Sequence, residues 1–162
     1  MAYSTIPKGS LYMNTKLYTG NGAARSITGV GFQPDWVWIK PRDNGSWSHN
    51  LTDVVRGAGY GIFTDLTSAQ YNYGTGTDGS VRTFDSNGFS IGTATQVNNS
   101  SSNIVAWSWK AGTSFTNSAG ANGANLATTA GSVNTDAGFS ILKWNGSGMA
   151  GEGLLAHGLG VV

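Results

Sequence analysis

The chain has 162 residues, a length that fits one domain of ordinary size. Charged residues make up 10% of it, against about 25% in a typical soluble domain, and the formal net charge is +1. Nucleic-acid-binding proteins need clustered lysine and arginine, so the nine dispersed basic residues argue against that class. The absence of cysteine excludes disulfides and thiolate metal sites, and no apolar run approaches the about 20 residues of a membrane span.

Short alternating apolar runs separated by glycines predict strands joined by tight turns. The first strong strand is predicted over 35–40, where Trp36 and Trp38 share one face while Val37 and Ile39 share the other. Because both faces are apolar, we expect this strand to be central in its sheet and covered on both sides.

The segment 50–56 has a capping residue and apolar positions, but closely spaced glycines follow it. This pattern predicts a single helical turn or an irregular loop. His49, Asp53 and Arg56 lie close together in the sequence here, and one interpretation is a polar site for a sugar or carboxylate. A local ion pair between Asp53 and Arg56 that anchors the loop is the favoured interpretation.

A second strong strand is predicted over 104–110, where Val105, Trp107 and Trp109 share a face in the half-buried pattern of a sandwich sheet. The Asp-Ser-Asn-Gly sequence at 85–88 predicts a tight turn between two weaker strands. The weaker strands are predicted over 11–18, 80–84, 89–91 and 139–144.

Glycine, alanine, serine, threonine and asparagine dominate the stretch after the second strong strand, which favours an ordered but extended connector. A flexible linker, or one or two edge strands with small side chains, are the alternatives. The predicted organisation is an N-terminal arm with the first strand (1–17), a β-sandwich module (18–112), the connector (113–137), and closing strands or an incomplete second repeat (138–162).

A partial internal repeat supports the last of these assignments. The aromatic–polar–Gly–polar–Gly motif at 18–22 recurs at 144–148, and each copy is followed by an apolar residue and a glycine-framed turn. The first copy leads into the strand at 35–40, whereas the second reaches Val162 before a matching strand. We therefore expect that the polypeptide continues beyond Val162 or that a neighbouring copy supplies the final strand.

Five longer motifs occur in a fixed order, namely Tyr18–Gly22, Gly31–Lys40, Asp53–Gly57, Phe84–Phe89 and Val105–Gly112. This series resembles a repeat module of bacteriophage virion proteins, particularly of marine and cyanobacterial phages, that are labelled tail-fibre or structural proteins. The resemblance covers about residues 12–160. It implies an all-β, antiparallel β-sandwich similar in outline to jelly-roll, concanavalin-like and SPRY-like folds. It also implies a virion location after synthesis in the host cytoplasm, and it brings no catalytic residues.

The residues themselves favour a protein that is not an enzyme and needs no cofactor. A hydrolase would need paired carboxylates or a Ser-His-Asp set, but the eight acidic residues are dispersed. Only His49 and His157 are present, and His157 lies in a glycine-rich motif that favours a turn. The oxygen-rich segments at 43–46 and 134–136 lack the spacing of a calcium loop, so plain turns are expected and no metal site is predicted.

The aromatic residues divide into two predicted groups. Those on strong strands are expected to form the core: Trp36, Trp38, Trp107 and Trp109. Asp53 and Arg56 are also expected to be structural, as an ion pair. Those in loops are candidates for contact with a glycan or a partner, since loops commonly carry binding residues: Trp47, Tyr71 and Tyr73, together with His49. Packing under the loops or against a neighbouring subunit is the alternative for this group.

The leading hypothesis is a virion structural protein, such as a tail fibre, an appendage or a capsid-surface component. It would act with other virion proteins and as a homo-oligomer, with a trimer among the candidate symmetries. A lectin-like adhesion domain that binds host-surface glycans is the alternative, and the two roles are compatible in one fibre. A glycan-degrading depolymerase fragment is the least favoured hypothesis.

Overall fold

The computed structural model describes residues 8–146 and 152–160. Within them the chain is almost entirely β-structure, all of its sheets are antiparallel, and its helical segments are very short. None of those helical segments has the length and apolarity needed to cross a membrane. Three predictions lie partly outside the described residues: the N-terminal arm before Lys8, the end of the repeated motif at 144–148, and the terminal strand at Val162.

The chain divides into a larger unit, Lys8–Lys110, and a smaller unit that takes the chain from Ala111 onward. The strands of the larger unit are β1 (Met13–Thr19), β2 (Arg25–Thr28), β3 (Trp36–Pro41), β4 (Asn50–Asp53), β5 (Tyr60–Phe63), β6 (Tyr71–Asn72), β7 (Val81–Asp85), β8 (Gly88–Ile91) and β9 (Asn103–Trp109). A 3-10 turn at Gly9–Leu11 precedes β1, and the one-turn helix α1 (Thr95–Asn98) precedes β9.

The larger unit is an antiparallel β-sandwich, which confirms the predicted fold class. One sheet has six strands in the order β1-β9-β3-β4-β5-β6, and the other has three in the order β2-β8-β7. Val37 and Ile39 of the first sheet and Phe89 and Ile91 of the second are fully buried in a single core cluster. Burial of these apolar side chains between two sheets is what holds a sandwich together.

The strong strands form as predicted, but the structure corrects which of their faces forms the core. β3 is central, between β9 and β4, and its buried side chains are the aliphatic ones. The four tryptophans predicted to form the core lie on the opposite face and are half-buried: Trp36, Trp38, Trp107 and Trp109. The space between the sheets is filled mainly by aliphatic side chains, together with Phe32 and Phe89, and the larger indoles lie on the other side of the six-stranded sheet.

The turn predicted at 85–88 connects β7 and β8 as a tight hairpin. Asn87 also ties the hairpin to the loop after β2, because its side-chain oxygen accepts the Gly31 N–H at 2.7 Å. Gly88 has a φ of +149°, and a Cβ there would lie 2.0 Å from the carbonyl oxygen of Ile27. Glycine is therefore required where β8 passes close to β2.

The segment predicted as a helical turn or irregular loop, 50–56, instead begins with the strand β4. The residues of β4 are buried. The strand lies between β3 and β5, and Leu51 pairs with Trp38 on one side and with Ile62 on the other. The turn follows at 54–56. Cross-strand pairing with distant residues, which local sequence does not reveal, decides this outcome.

The smaller unit is a three-stranded antiparallel sheet of β10 (Thr113–Asn117), β11 (Thr128–Asn134) and β12 (Phe139–Trp144). Two of these strands lie within 113–137, the stretch for which an extended connector was favoured. β11 is central in its sheet, and its small residue Gly131 lies opposite the aromatic ring of Phe115. Small side chains therefore make room for a neighbour's ring here rather than marking a linker.

Tyr18 of β1 packs against the core of the larger unit, and its hydroxyl donates to the carbonyl oxygen of Val97 at 2.7 Å. Burial raises the pKa of Tyr18 well above its ordinary value, and the guanidinium of Arg25, 5.3 Å from the ring centroid, partly opposes this. In the unfolded chain tyrosine ionises near pH 10, whereas folded Tyr18 keeps its proton. The stability from Tyr18 is therefore complete below about pH 10 and is lost as the pH rises further.

We expect Tyr18→Phe to weaken this alkaline loss of stability. At neutral pH the variant should lose about 0.5–1.5 kcal/mol of unfolding free energy, because Val97 loses its hydrogen-bond donor. Above about pH 10 its stability should fall less steeply than that of the wild type. Urea denaturation across the alkaline range measures both effects, with Tyr60→Phe as the control for loss of an exposed hydroxyl. Parallel pH curves for wild type and Tyr18→Phe would contradict the prediction.

Candidate functional site

The structure separates the four predicted binding residues: three lie on the two faces of the six-stranded sheet and one lies in a connection. Tyr71 and Tyr73 lie on the face that carries the core, where they join Phe63 of β5. His49 lies on the opposite face beside Trp38. Trp47 is half-buried in the connection between β3 and β4. The four residues therefore do not form one site.

The rings of Phe63, Tyr71 and Tyr73 form a continuous stack, which we call the aromatic row. Phe63 and Tyr71 have ring centroids 4.7 Å apart, and Tyr71 and Tyr73 have centroids 4.4 Å apart. The row ends at Tyr73, which is 41% exposed. It lies at the edge of the sheet, because β6 pairs only with β5 among the described strands. An exposed ring held by a stack presents a rigid apolar surface with a polar hydroxyl beside it.

Buried polar side chains under the aromatic row fix the position of Tyr71. The amide of Asn50 donates to the Tyr71 hydroxyl, and both Asn50 and Thr52 are fully buried on β4. Burial raises the pKa of Tyr71, although hydrogen bonds from neighbouring side chains, Thr52 and Asn50 among them, act in the opposite direction. Tyr71 is therefore neutral at physiological pH. A hydrogen bond holds its hydroxyl, and the rings of Phe63 and Tyr73 pack against its ring.

Gly61 of β5 provides the space for Tyr71. A Cβ at this position would lie 2.3 Å from the Tyr71 hydroxyl oxygen and 2.6 Å from the carbonyl oxygen of Leu51. We expect Gly61→Ala to displace the Tyr71 ring and to lower the free energy of unfolding by about 1–3 kcal/mol. The near-ultraviolet circular dichroism of the stacked rings should change with it.

The matched control is Gly45→Ala, because a Cβ at Gly45 would meet no atom within 4 Å. Urea denaturation of both variants measures the difference. Equal stability of the two variants, together with unchanged near-ultraviolet spectra, would show that Gly61 does not set the position of Tyr71.

Trp38, Trp107 and His49 form a second aromatic group, which we call the tryptophan patch. The ring centroids of Trp38 and Trp107 are 5.0 Å apart. The His49 ring meets the Trp38 ring edge-on, with centroids 6.3 Å apart. The indole N–H of Trp38 donates to the hydroxyl of Thr64 at 3.1 Å. Trp38, Trp107 and His49 are all half-buried, so each of them is fractionally less exposed than Tyr73.

Asp53 and Arg56 form the local ion pair that anchors the turn after β4. One oxygen of Asp53 accepts the backbone N–H groups of Val55 and Arg56, at 3.0 and 2.8 Å, and the other accepts the Arg56 guanidinium. Asp53 is fully buried. Its carboxylate is thus engaged within its own turn, which is the geometry of an anchor and not of an open binding site.

Among residues 8–146 and 152–160, no three His, Asp or Glu side chains come close enough to hold a metal ion. The oxygen-rich segment at 43–46 is used within the fold. Asp43 accepts the backbone and side-chain N–H groups of Asn103, and the Asn44 side chain accepts the Ser46 N–H. Asn44 thus stabilises the backbone of its own turn, and Asp43 attaches that turn to the start of β9.

Sequence reasoning nominated Tyr71 and Tyr73 but missed Phe63 and the buried Asn50 and Thr52. Phe63 and Tyr71 are neighbours because β5 lies between β4 and β6, and Asn50 pairs directly with Phe63. The apolar residues Tyr60, Ile62 and Phe63 are the one local signal for β5, and Gly61 among them weakens that signal.

A family model described as a domain of unknown function, DUF7483, matches residues 8–162 of the chain. Searches of curated proteins and of solved structures give no match.

Proposed function

The chain belongs to the DUF7483 family, a domain of unknown function, and we propose that it is a non-enzymatic structural protein of a phage virion. It would be made in the host cytoplasm and assembled into a tail fibre, an appendage or the capsid surface. The observation that carries the proposal is the ordered series of motifs that resembles virion repeat modules. In the structure these motifs fall at the end of β1, into β3, after β4, in the β7–β8 hairpin and along β9.

The surface chemistry supports assembly as a homo-oligomer. Within the described part of the chain, β1 pairs only with β9, so the other edge of this seven-residue strand has no strand beside it. Leu17 of β1 is 62% exposed. A free edge with an exposed apolar side chain favours pairing with a second copy. Because the chain has few charged residues, electrostatic repulsion between two copies is small.

Two measurements test this proposal. Native mass spectrometry of the full chain should show a discrete oligomer, and proteomic analysis of purified particles from a phage that encodes the chain should find it at structural copy number. A stable monomer that is not found in purified particles would overturn the proposal.

We propose glycan binding at the aromatic row as a second function. The observation that favours it is Tyr73, an exposed ring held rigid by Tyr71 and Phe63, on which the apolar face of a sugar ring can stack. A rigid platform binds at low entropic cost, because no side chain has to be ordered when the ligand arrives.

Tyr73→Ala should weaken binding to a glycan-array hit about tenfold, the effect of losing about 1.4 kcal/mol of stacking. Tyr60→Ala is the matched control, because Tyr60 is also an exposed tyrosine, at 38%, but projects from the opposite face of the sheet. Trp47→Ala tests the remaining loop aromatic. No array hits, or equal binding by the Tyr73 and Tyr60 variants, would remove this function from the aromatic row.

A further inference from the structure

The smaller unit contains a cavity of about 620 Å3, within the range of about 300–1,000 Å3 typical of small-molecule sites. The cavity is partly open to solvent, and three pieces of chain line it: β10, the 3-10 turn at Ala121–Gly123, and the segment 155–160. Its lining residues are Phe115, Thr116, Asn117, Asn122, Leu155, Ala156, His157, Gly158 and Gly160.

The walls of the cavity are fixed by specific contacts. The side chain of Asn125 accepts the Leu154 N–H at 2.7 Å and donates to the carbonyl of Glu152 at 2.8 Å, which holds the last segment against the sheet. The Phe115 ring packs against two glycines, where a Cβ would approach the ring to 2.4 Å at Gly131 and 2.9 Å at Gly158. A site on fixed walls needs little reorganisation to bind a ligand.

The polar groups of the cavity have defined directions of hydrogen bonding. The Nδ1 atom of His157 accepts the N–H of Leu159 at 3.1 Å, so the neutral ring carries its proton on Nε2, which remains as a donor. The Asn122 amide donates to the Asn117 oxygen at 2.8 Å, which leaves the Asn122 oxygen as an acceptor. Both polar groups of the Asn117 side chain are used within the fold, since its amide donates to the carbonyls of Ser118 and Ala121.

Among the described residues, the lining includes no carboxylate, ammonium or guanidinium group, and Phe115, Leu155 and Ala156 add apolar surface. A charged ligand would lose part of its hydration there without gaining a counter-charge from the described lining residues. An uncharged ligand with several hydroxyl groups can use the His157 donor, the Asn122 acceptor and the Thr116 hydroxyl while its ring carbons contact the apolar wall. We propose that this cavity binds one neutral saccharide unit, a hexose or an N-acetylhexosamine.

This site is separate from the aromatic row, which belongs to the larger unit, so neither proposal depends on the other. The test uses the full chain with glucose, galactose, mannose and N-acetylglucosamine as probes, and glucuronic acid as the charged mismatch. Saturation-transfer NMR should detect at least one neutral sugar, and 15N-resolved shift changes should map to residues 115–122 and 155–160. Glucuronic acid should produce neither effect.

Two variants probe the polar groups. In His157→Asn, the new oxygen can still accept the Leu159 N–H while the Nε2 donor is lost, so the turn is retained. Asn122→Gly suits the φ of +52° at this position and removes the acceptor. Each should weaken binding about tenfold, the effect of one lost hydrogen bond of ordinary strength. Asn145→Gly, at an exposed position outside the cavity, is the matched control.

Several results would overturn the proposal: no binding by any neutral sugar, equal binding of glucuronic acid, or shift changes confined to residues outside the cavity. Shifts at Tyr73 alone would support the aromatic row and overturn the cavity site. If a variant does not fold, the shift map of the wild-type chain decides the question without it.

Discussion

Phe89→Ala is expected to lower the free energy of unfolding by about 3–5 kcal/mol. Phe89 lies on β8, the central strand of the three-stranded sheet of the larger unit. Its side chain is completely buried against the six-stranded sheet. It pairs with Ile27 of β2 on one side and with Phe84 of β7 on the other. Truncation therefore opens a cavity at the centre of the sandwich, with loss of both the apolar burial and the packing contacts of the ring.

Urea denaturation measures this loss, with the midpoint falling while the slope stays unchanged. Leu66→Ala, at a side chain that is 50% exposed, is the control for shortening an exposed apolar side chain, and it should change stability by no more than about 0.5 kcal/mol. Because a domain of this size has about 5–15 kcal/mol of stability in total, Phe89→Ala should leave it marginal. Similar losses in the two variants would mean that the small sheet contributes little to the fold.

Asp53→Ala is expected to cost about 3 kcal/mol or more, because it removes a buried carboxylate that accepts three hydrogen bonds within one turn. The N–H groups of Val55 and Arg56 would lose their acceptor, and the guanidinium of Arg56 would lose its counter-charge. Asp53→Asn should cost less, because it keeps an oxygen for the two backbone groups while it removes the charge.

Thermal and urea denaturation of Asp53→Ala, Asp53→Asn and Asp136→Ala test this order. Asp136 is exposed and serves as the control for loss of an aspartate, with an expected change within about 0.5 kcal/mol. If Asp53→Ala proved no more costly than Asp136→Ala, the ion pair would not be the anchor of the β4 turn.

The strands that sequence predicted well are those with strong alternation over several residues. β3 and β9 were predicted from their tryptophans, and the turn between β7 and β8 from its Asn-Gly pair. Alternation identifies which residues share a face, but it does not say which face is buried when both are apolar. That choice depends on the space between the sheets, which is why the tryptophans of β3 and β9 were assigned to the core.

The elements that sequence missed depend on distant partners. β4 carries polar residues such as Asn50 and Thr52 into a buried position, and β11 carries small ones such as Gly131, so neither has an apolar pattern of its own. The candidate sites share this property. Tyr71 and Tyr73 were recognisable as loop aromatics, but the support from Phe63, and the meeting of β10 with the segment 155–160 at the cavity, are products of the fold.

The central register of the six-stranded sheet protects the chain against misfolding. Trp38 lies directly opposite Trp107, and Val37 lies opposite Ser108 on the other face. A slip of β3 by one residue would turn its indoles toward the space that its aliphatic side chains now fill. Because a packed interior rejects such an increase in volume, the slipped pairing is strongly disfavoured. The tryptophans thus favour the native register over the slipped one, and with Trp36 and Trp38 replaced by valine the two registers should differ less in free energy.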